Sequence, residues 1–245
     1  MKCRIALYWL VAVAAMLAVS HAGSAQSPGR IYVIESSVNS IKVGREYGLA
    51  DTITIPAGAS IRAVMPSGKT QKITGPYSGP VADLAKGQKL NETVFAWIRD
   101  FFQTGGSREK TIGATRGMRV PSPASFSWTA VPVTADSTIC VAKGARVQLV
   151  REPSQNAQRV TVVDIESSLK GEVRWAGGSS ATAWPADVAL RPDATYTLLV
   201  PDQPPRQATL RMLERIPEDD EVLSELAARG CQHQFDAWMK ERTSR

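Results

Sequence analysis

Residues 51–75, DTITIPAGASIRAVMPSGKTQKITG, leave the chain little choice of local structure. Thr52 and Thr54 alternate with Ile53 and Ile55, and Ser60 and Arg62 alternate with Ile61, Ala63 and Met65. A period of two puts each apolar set on one face of a strand. Pro56-Ala57-Gly58 and Pro66-Ser67-Gly68 interrupt the runs; proline restricts φ and glycine supplies positive φ. The spacing predicts three short strands joined as two hairpins. Gly68-Lys69-Thr70 imitates the end of a phosphate-binding loop, but the glycine such a loop needs five residues earlier is Ala63, inside a strand. Gly75-Pro76 also forbids the long helix that should follow. The triplet is a turn.

Upstream, RIYVIES (30–36) is β-branched and apolar and predicts another strand. From Asn91 the period changes. Asn91 is a good N-cap, Glu92 suits the first turn, and Val94, Trp97, Ile98, Phe101 and Phe102 share one face at helical spacing. Gly105 ends this helix, which closes an N-terminal domain over 26–104. Residues 105–123 are Gly-rich, basic and without periodicity, and predict a linker. Arg108, Lys110, Arg116 and Arg119 stand there against Glu109, a local net charge of +3. They are either solvated linker charges or contacts for a phosphate-bearing envelope polymer.

Between 124 and 215, ARVQLVRE, QRVTVVDIE, EVRW, TYTLLVP and QATLRML are short runs separated by Pro, Gly, Asn and Ser. This spacing predicts a small immunoglobulin-like β-sandwich. Trp128, Trp175 and Trp184 either pack in its interior or stack on sugars at its surface, with Trp175 and Trp184 the candidate contacts. The last segment, 216–245, predicts a helical tail. Pro217 and Glu218-Asp219-Asp220-Glu221 suit a helix start. Leu223, Ala227, Cys231, Phe235 and Met239 then recur in steps of four, a stripe that drifts around a straight helix. A break at Gly230 resets it, so two short helices are expected.

Lys2 and Arg4, an apolar run from Ile5 to Val19, and small residues before Ala22 or Ala25 form a secretory signal peptide over 1–25. Export to the periplasm follows, and no later run is apolar enough to span a bilayer. Cys3 precedes the apolar run and is no lipobox cysteine. Processing removes Lys2 and Arg4 and leaves a net charge of +4 with signs interspersed, without the basic aromatic stripe of a nucleic-acid binder. It also leaves Cys140 and Cys231, an even pair in an oxidising compartment, which predicts a disulfide between them. Closing so long a loop is worth about 4–5 kcal/mol in the chain-entropy model.

Catalytic groups are sparse. His233 is the only histidine left after processing, too few for a His/Cys zinc site, and no nucleophile elbow accompanies it. Ser107-x-x-Lys110 and Ser167-x-x-Lys170 match Ser-x-x-Lys, without the Lys-Thr-Gly of penicillin-interacting enzymes. Asp164 and Glu166, two apart on one strand, are spaced like a glycosidase pair. No catalytic residue, metal or cofactor is expected.

The segment DTITIPAGASIRAVMPSGKTQKITGPYSG resembles the periplasmic FecR-like domain family. The resemblance rests on Asp51-Thr52-Ile53, Pro56-Ala57-Gly58-Ala59 and Ser67-Gly68, and it implies a β-rich periplasmic module. The sigma-factor-binding segment and membrane span of FecR-type regulators have no counterpart here. The whole chain therefore predicts an α+β fold, mainly β: a FecR-like domain with one helix, a linker, a sandwich and a helical tail. The expected role is a non-enzymatic envelope module that binds another envelope protein. The alternatives are peptidoglycan or another envelope polysaccharide as ligand, and an unrecognised hydrolase. Alkylation of the denatured, unreduced processed protein is expected to find neither Cys140 nor Cys231 free; two free thiols per chain would refute the bridge.

Overall fold

Residues 31–34 are apolar without alternation because both of their faces are covered. In the computed structural model, which describes residues 29–105 and 125–244, they lie in β1 (Arg30–Ser36). Ile31 and Val33 face one core, and Tyr32 and Ile34 face another. The strand sits inside an antiparallel sheet of order β2-β1-β4-β5, with β2 (Glu46–Gly48), β4 (Ser60–Val64) and β5 (Thr70–Thr74). The expected signal peptide, 1–25, and Arg108, Lys110, Arg116 and Arg119 lie outside the described residues.

The turn at Pro66–Gly68 closes the β4–β5 hairpin, with Gly68 at φ +86°. A Cβ there would stand 2.9 Å from a Val94 methyl, so conformation and space both require glycine. The turn at Pro56–Gly58 corrects the expectation of a second hairpin. β3 (Thr52–Ile55) leaves the sheet and pairs with β6 (Tyr77–Pro80) instead. Ile53 and Ile55 then face Ile61, Ala63 and Ile73 across a core rather than extending their row. Alternation fixes which face a strand buries, but not its neighbour.

A single turn, α1 (Val81–Leu84), precedes α2 (Glu92–Gln103). The Asn91 side chain accepts the Val94 N–H at 3.2 Å, as its position predicted. Val94, Phe95, Ile98 and Phe101 are buried.

The C-terminal strands form two sheets over one core. The larger has order β11-β10-β13-β14-β8: β8 (Ser137–Ala142), β10 (Gln158–Asp164), β11 (Lys170–Trp175), β13 (Thr195–Leu199) and β14 (Arg206–Leu213). The smaller, β12-β9-β7, contains β7 (Ala130–Pro132), β9 (Gln148–Val150) and β12 (Ala181–Ala183). Val131 and Leu149 of the small sheet pack with Ile139, Val160, Trp175, Tyr196 and Leu210 of the large one. Two ladders, β14–β8 and β7–β9, run parallel. The fold is thus mainly β with a few helices, α+β.

The tail is two helices, α3 (Val222–Ala228) and α4 (Gln232–Thr243), broken at Gly230 with φ +76°. Every residue of the step-of-four stripe is buried. Their neighbours extend the expected attachment to the sandwich: the same core holds Tyr32, Ile34 and Val64 of the first sheet, the buried face of α2, and Cys140 and Leu213. Cys140 and Cys231 are bonded, with Cα atoms 5.8 Å apart. Beside them, the buried Gln234 amide pairs with the outer edge of β8. Its oxygen accepts the Cys140 N–H at 2.6 Å, and its nitrogen donates to the carbonyls of Cys140 (2.8 Å) and Ser127 (2.6 Å). The side chain acts as one residue of an extra strand.

Gln234→Leu keeps the volume and strands these backbone groups in an apolar core. Each buried unpaired group costs about 1–3 kcal/mol. A loss of about 2–4 kcal/mol is expected in denaturant unfolding; an unchanged midpoint would show that the edge pairing is dispensable.

Candidate functional site

The acidic run does not occupy a first helical turn as its composition predicted. α3 starts at Val222, and residues 217–221 cross the free edge of β5. The Thr70 N–H donates to the Asp220 carbonyl at 2.8 Å, so the backbone continues the sheet by one residue. Lys69 Nζ lies 2.9 Å and Arg215 Nη2 2.6 Å from the two Glu221 carboxylate oxygens. These contacts, led by the hydrogen bond from Lys69, hold the Glu221 pKa down at about 2 and raise that of the Lys69 ammonium.

Next to this clasp, Arg62 of β4 and Arg242 of α4 share two carboxylates. Arg62 Nη1 is 2.9 Å from Asp219 Oδ2, and its Nε is 3.4 Å from Glu35 Oε2. Arg242 Nη1 is 3.6 Å from Glu35 Oε1, and its Nη2 donates to Asp219 Oδ1. The Arg242 guanidinium also lies over the Trp238 ring, 4.9 Å from its centroid. Both arginines are largely buried, 19% and 21% exposed. Between the first sheet and the end of α4 this leaves a cleft of about 270 Å³, with Lys72 on its rim. Sequence reasoning placed Arg62 on an outward face but gave no sign that the tail, 157 residues later, covers it.

Asp164 and Glu166 are brought together by Arg191. Asp164 is buried and takes two guanidinium nitrogens at 2.7–3.0 Å, while Glu166 takes a third at 2.7 Å. Asp164 Oδ1 also accepts the N–H groups of Glu166 and Ser167. The Arg191 contact holds the Asp164 pKa down at about 2, below its ordinary 3.8. A guanidinium between the carboxylates makes them a clamp on the β10–β11 hairpin. In that hairpin Ser167 Oγ accepts the Leu169 N–H, outside any helix.

Trp175 is 0% exposed, the interior one of its two expected placements: strand alternation turns it into the sandwich core and away from any ligand at the surface. Trp184 is partly buried, edge-on to Tyr196 with ring centroids 4.9 Å apart, and its Nε1 donates to the Val188 carbonyl at 2.8 Å. The two tryptophans share a core and form no surface platform. His233 is exposed, its Nε2 3.2 Å from the Asp136 carbonyl oxygen. Among the described residues no His, Cys, Asp and Glu side chains group to hold a metal ion, and no helix is long and apolar enough to cross a membrane. No protein-family model matches the chain, and no curated protein is significantly similar to it.

A carboxylate whose pKa is lowered on folding contributes its stability above the unfolded value and loses it as pH falls through the folded one. For Glu221 that window runs from its ordinary 4.5 down to about 2. Glu221→Gln is expected to be less stable than the native protein at pH 7, with the two converging as pH falls through this window. A difference that persists unchanged at low pH would assign the loss to packing, not to the charge.

Proposed function

We propose that the protein is an exported, non-enzymatic accessory or sensory module of a bacterial envelope system, acting by docking onto another envelope protein. The observation that carries this is the tip of the β10–β11 hairpin. Ile165 and Leu169 stand there 49% and 53% exposed. The Asp164–Arg191–Glu166 clamp fixes the turn between them, together with the Asp164 N–H donating to the Leu169 carbonyl and the Ile165 N–H to the Thr195 carbonyl. Two branched aliphatic side chains held out on a stiff turn lose little entropy on binding, which favours a preformed protein contact.

The secretory leader supports a periplasmic setting, and so does the resemblance of 51–79 to FecR-like domains. The two-layer C-terminal unit fits an immunoglobulin-like sandwich, an architecture that many cell-surface domains use for docking. Trp184 and the basic stretch 108–119 are what the wall-polysaccharide alternative rests on.

In-cell cross-linking of the tagged protein, followed by mass spectrometry of what it carries, tests the reading. One dominant envelope protein is expected. It is expected to be lost in the Ile165→Asp, Leu169→Asp double variant, whose two substitutions at half-exposed positions together change stability by about 1 kcal/mol. Glycan fragments in place of a protein, or a partner retained by the double variant, would overturn the proposal.

A further inference from the structure

We infer that the cleft between the first sheet and the C-terminal turn of α4 binds a small oxyanion, a phosphate or carboxylate group, with Lys72 as its principal cation. Strand register puts Glu35 opposite Arg62, and Arg62 opposite Lys72, across three neighbouring strands. Like charges directly opposed on paired strands are destabilising. Arg62 and Arg242 are answered by Glu35 and Asp219, but Lys72 has no ion-pair partner among the described residues. One positive charge is therefore left over at the mouth of the cleft.

The donors there are not exhausted. A guanidinium carries five N–H groups, and Arg62 and Arg242 each make one hydrogen bond to Asp219. Ser60 adds a hydroxyl to the wall. A volume of about 270 Å³ suits a single small anionic group rather than an extended ligand. Low-dielectric walls concentrate the field of the surplus cation, and an anion between Lys72 and Arg62 removes their repulsion. Two arginines that hold the tail to the first sheet then also contact the ligand, so binding ties these elements more firmly. This site is independent of the hairpin tip, and either reading can fail without the other.

The test is titration of the purified protein with inorganic phosphate and, separately, acetate, at ionic strength held constant with chloride. Amide signals of Ser60, Arg62, Lys72 and Arg242 are followed by NMR. Saturable shifts confined to these residues are expected for at least one anion. Response to phosphate alone assigns a phosphate-bearing ligand, and response to acetate alone a carboxylate. Lys72→Ala, at an exposed strand position, is expected to unfold at or slightly above the native temperature without anion, because its repulsion with Arg62 is gone, and to bind about tenfold or more weakly, the loss of one charge-assisted contact. Lys86→Ala, outside the cleft, is expected to bind normally. No saturable shift with either anion, or equal affinity in Lys72→Ala, would overturn the assignment.

Discussion

The seam between β8 and the C-terminal helices is the constraint on which the rest of the structure depends. β8 is an edge strand, and an open edge invites pairing with another chain. Here the edge is closed twice at Cys140, covalently through Cys231 and by the hydrogen bonds of Gln234. The helices gain as much as the strand. Isolated helices shorter than about 12–15 residues are marginal in water, and α3 and α4 have 7 and 12. Their stability comes from packing. α4 buries six consecutive residues, Gln234 to Met239, because it lies in contact with both the sandwich and the first sheet. The tail is thus a shared wall, and the core it completes holds side chains from the first sheet, α2, the edge of the C-terminal sheets and the tail itself.

What was legible in the sequence was what periodicity and local chemistry control. The alternation at 52–55 and 60–65, the Asn91 cap, the break at Gly230 and the buried stripe from Leu223 to Met239 all depend on neighbours a few residues away. The cysteine pair was legible for a different reason: Cys140 and Cys231 are the only cysteines beyond residue 3, which leaves a single pairing between them. What escaped depends on partners far along the chain. Nothing within 51–80 reveals that β3 skips β4 to pair with β6. Nothing near Glu218–Glu221 shows that the run meets Lys69 and Arg62 rather than heading a helix. β8, the strand the seam needs, shows no clean alternation, because Ile139 and Val141 face the sandwich core while Cys140 faces the tail.

The pair Asp164 and Glu166 shows how one distant residue changes the meaning of a motif. Spacing alone permits acid–base chemistry. Arg191, 27 positions from Asp164, fills the space between the carboxylates and takes both oxygens of Asp164 and one of Glu166. The same contact stiffens the turn that carries Ile165 and Leu169. A charged group buried for structure thereby determines how two apolar residues outside it are displayed.

Charge also does at the joint what apolar contact cannot. Burial of Tyr32, Val64, Leu223 and Phe235 favours closeness in any orientation, because the hydrophobic effect has no direction. Arg62, Arg242, Glu35 and Asp219 have direction: each carboxylate meets both guanidiniums in one arrangement of sheet, acidic run and helix. Such a group is a poor source of net stability, since desolvating the charges offsets much of their attraction. Its contribution is to fix the register between elements that the core alone would let slide. The same physics places a water-accessible cleft at the joint. The four charged side chains there keep 19–46% of their surface exposed, and the sheet ends beside them in a lysine that they do not neutralise.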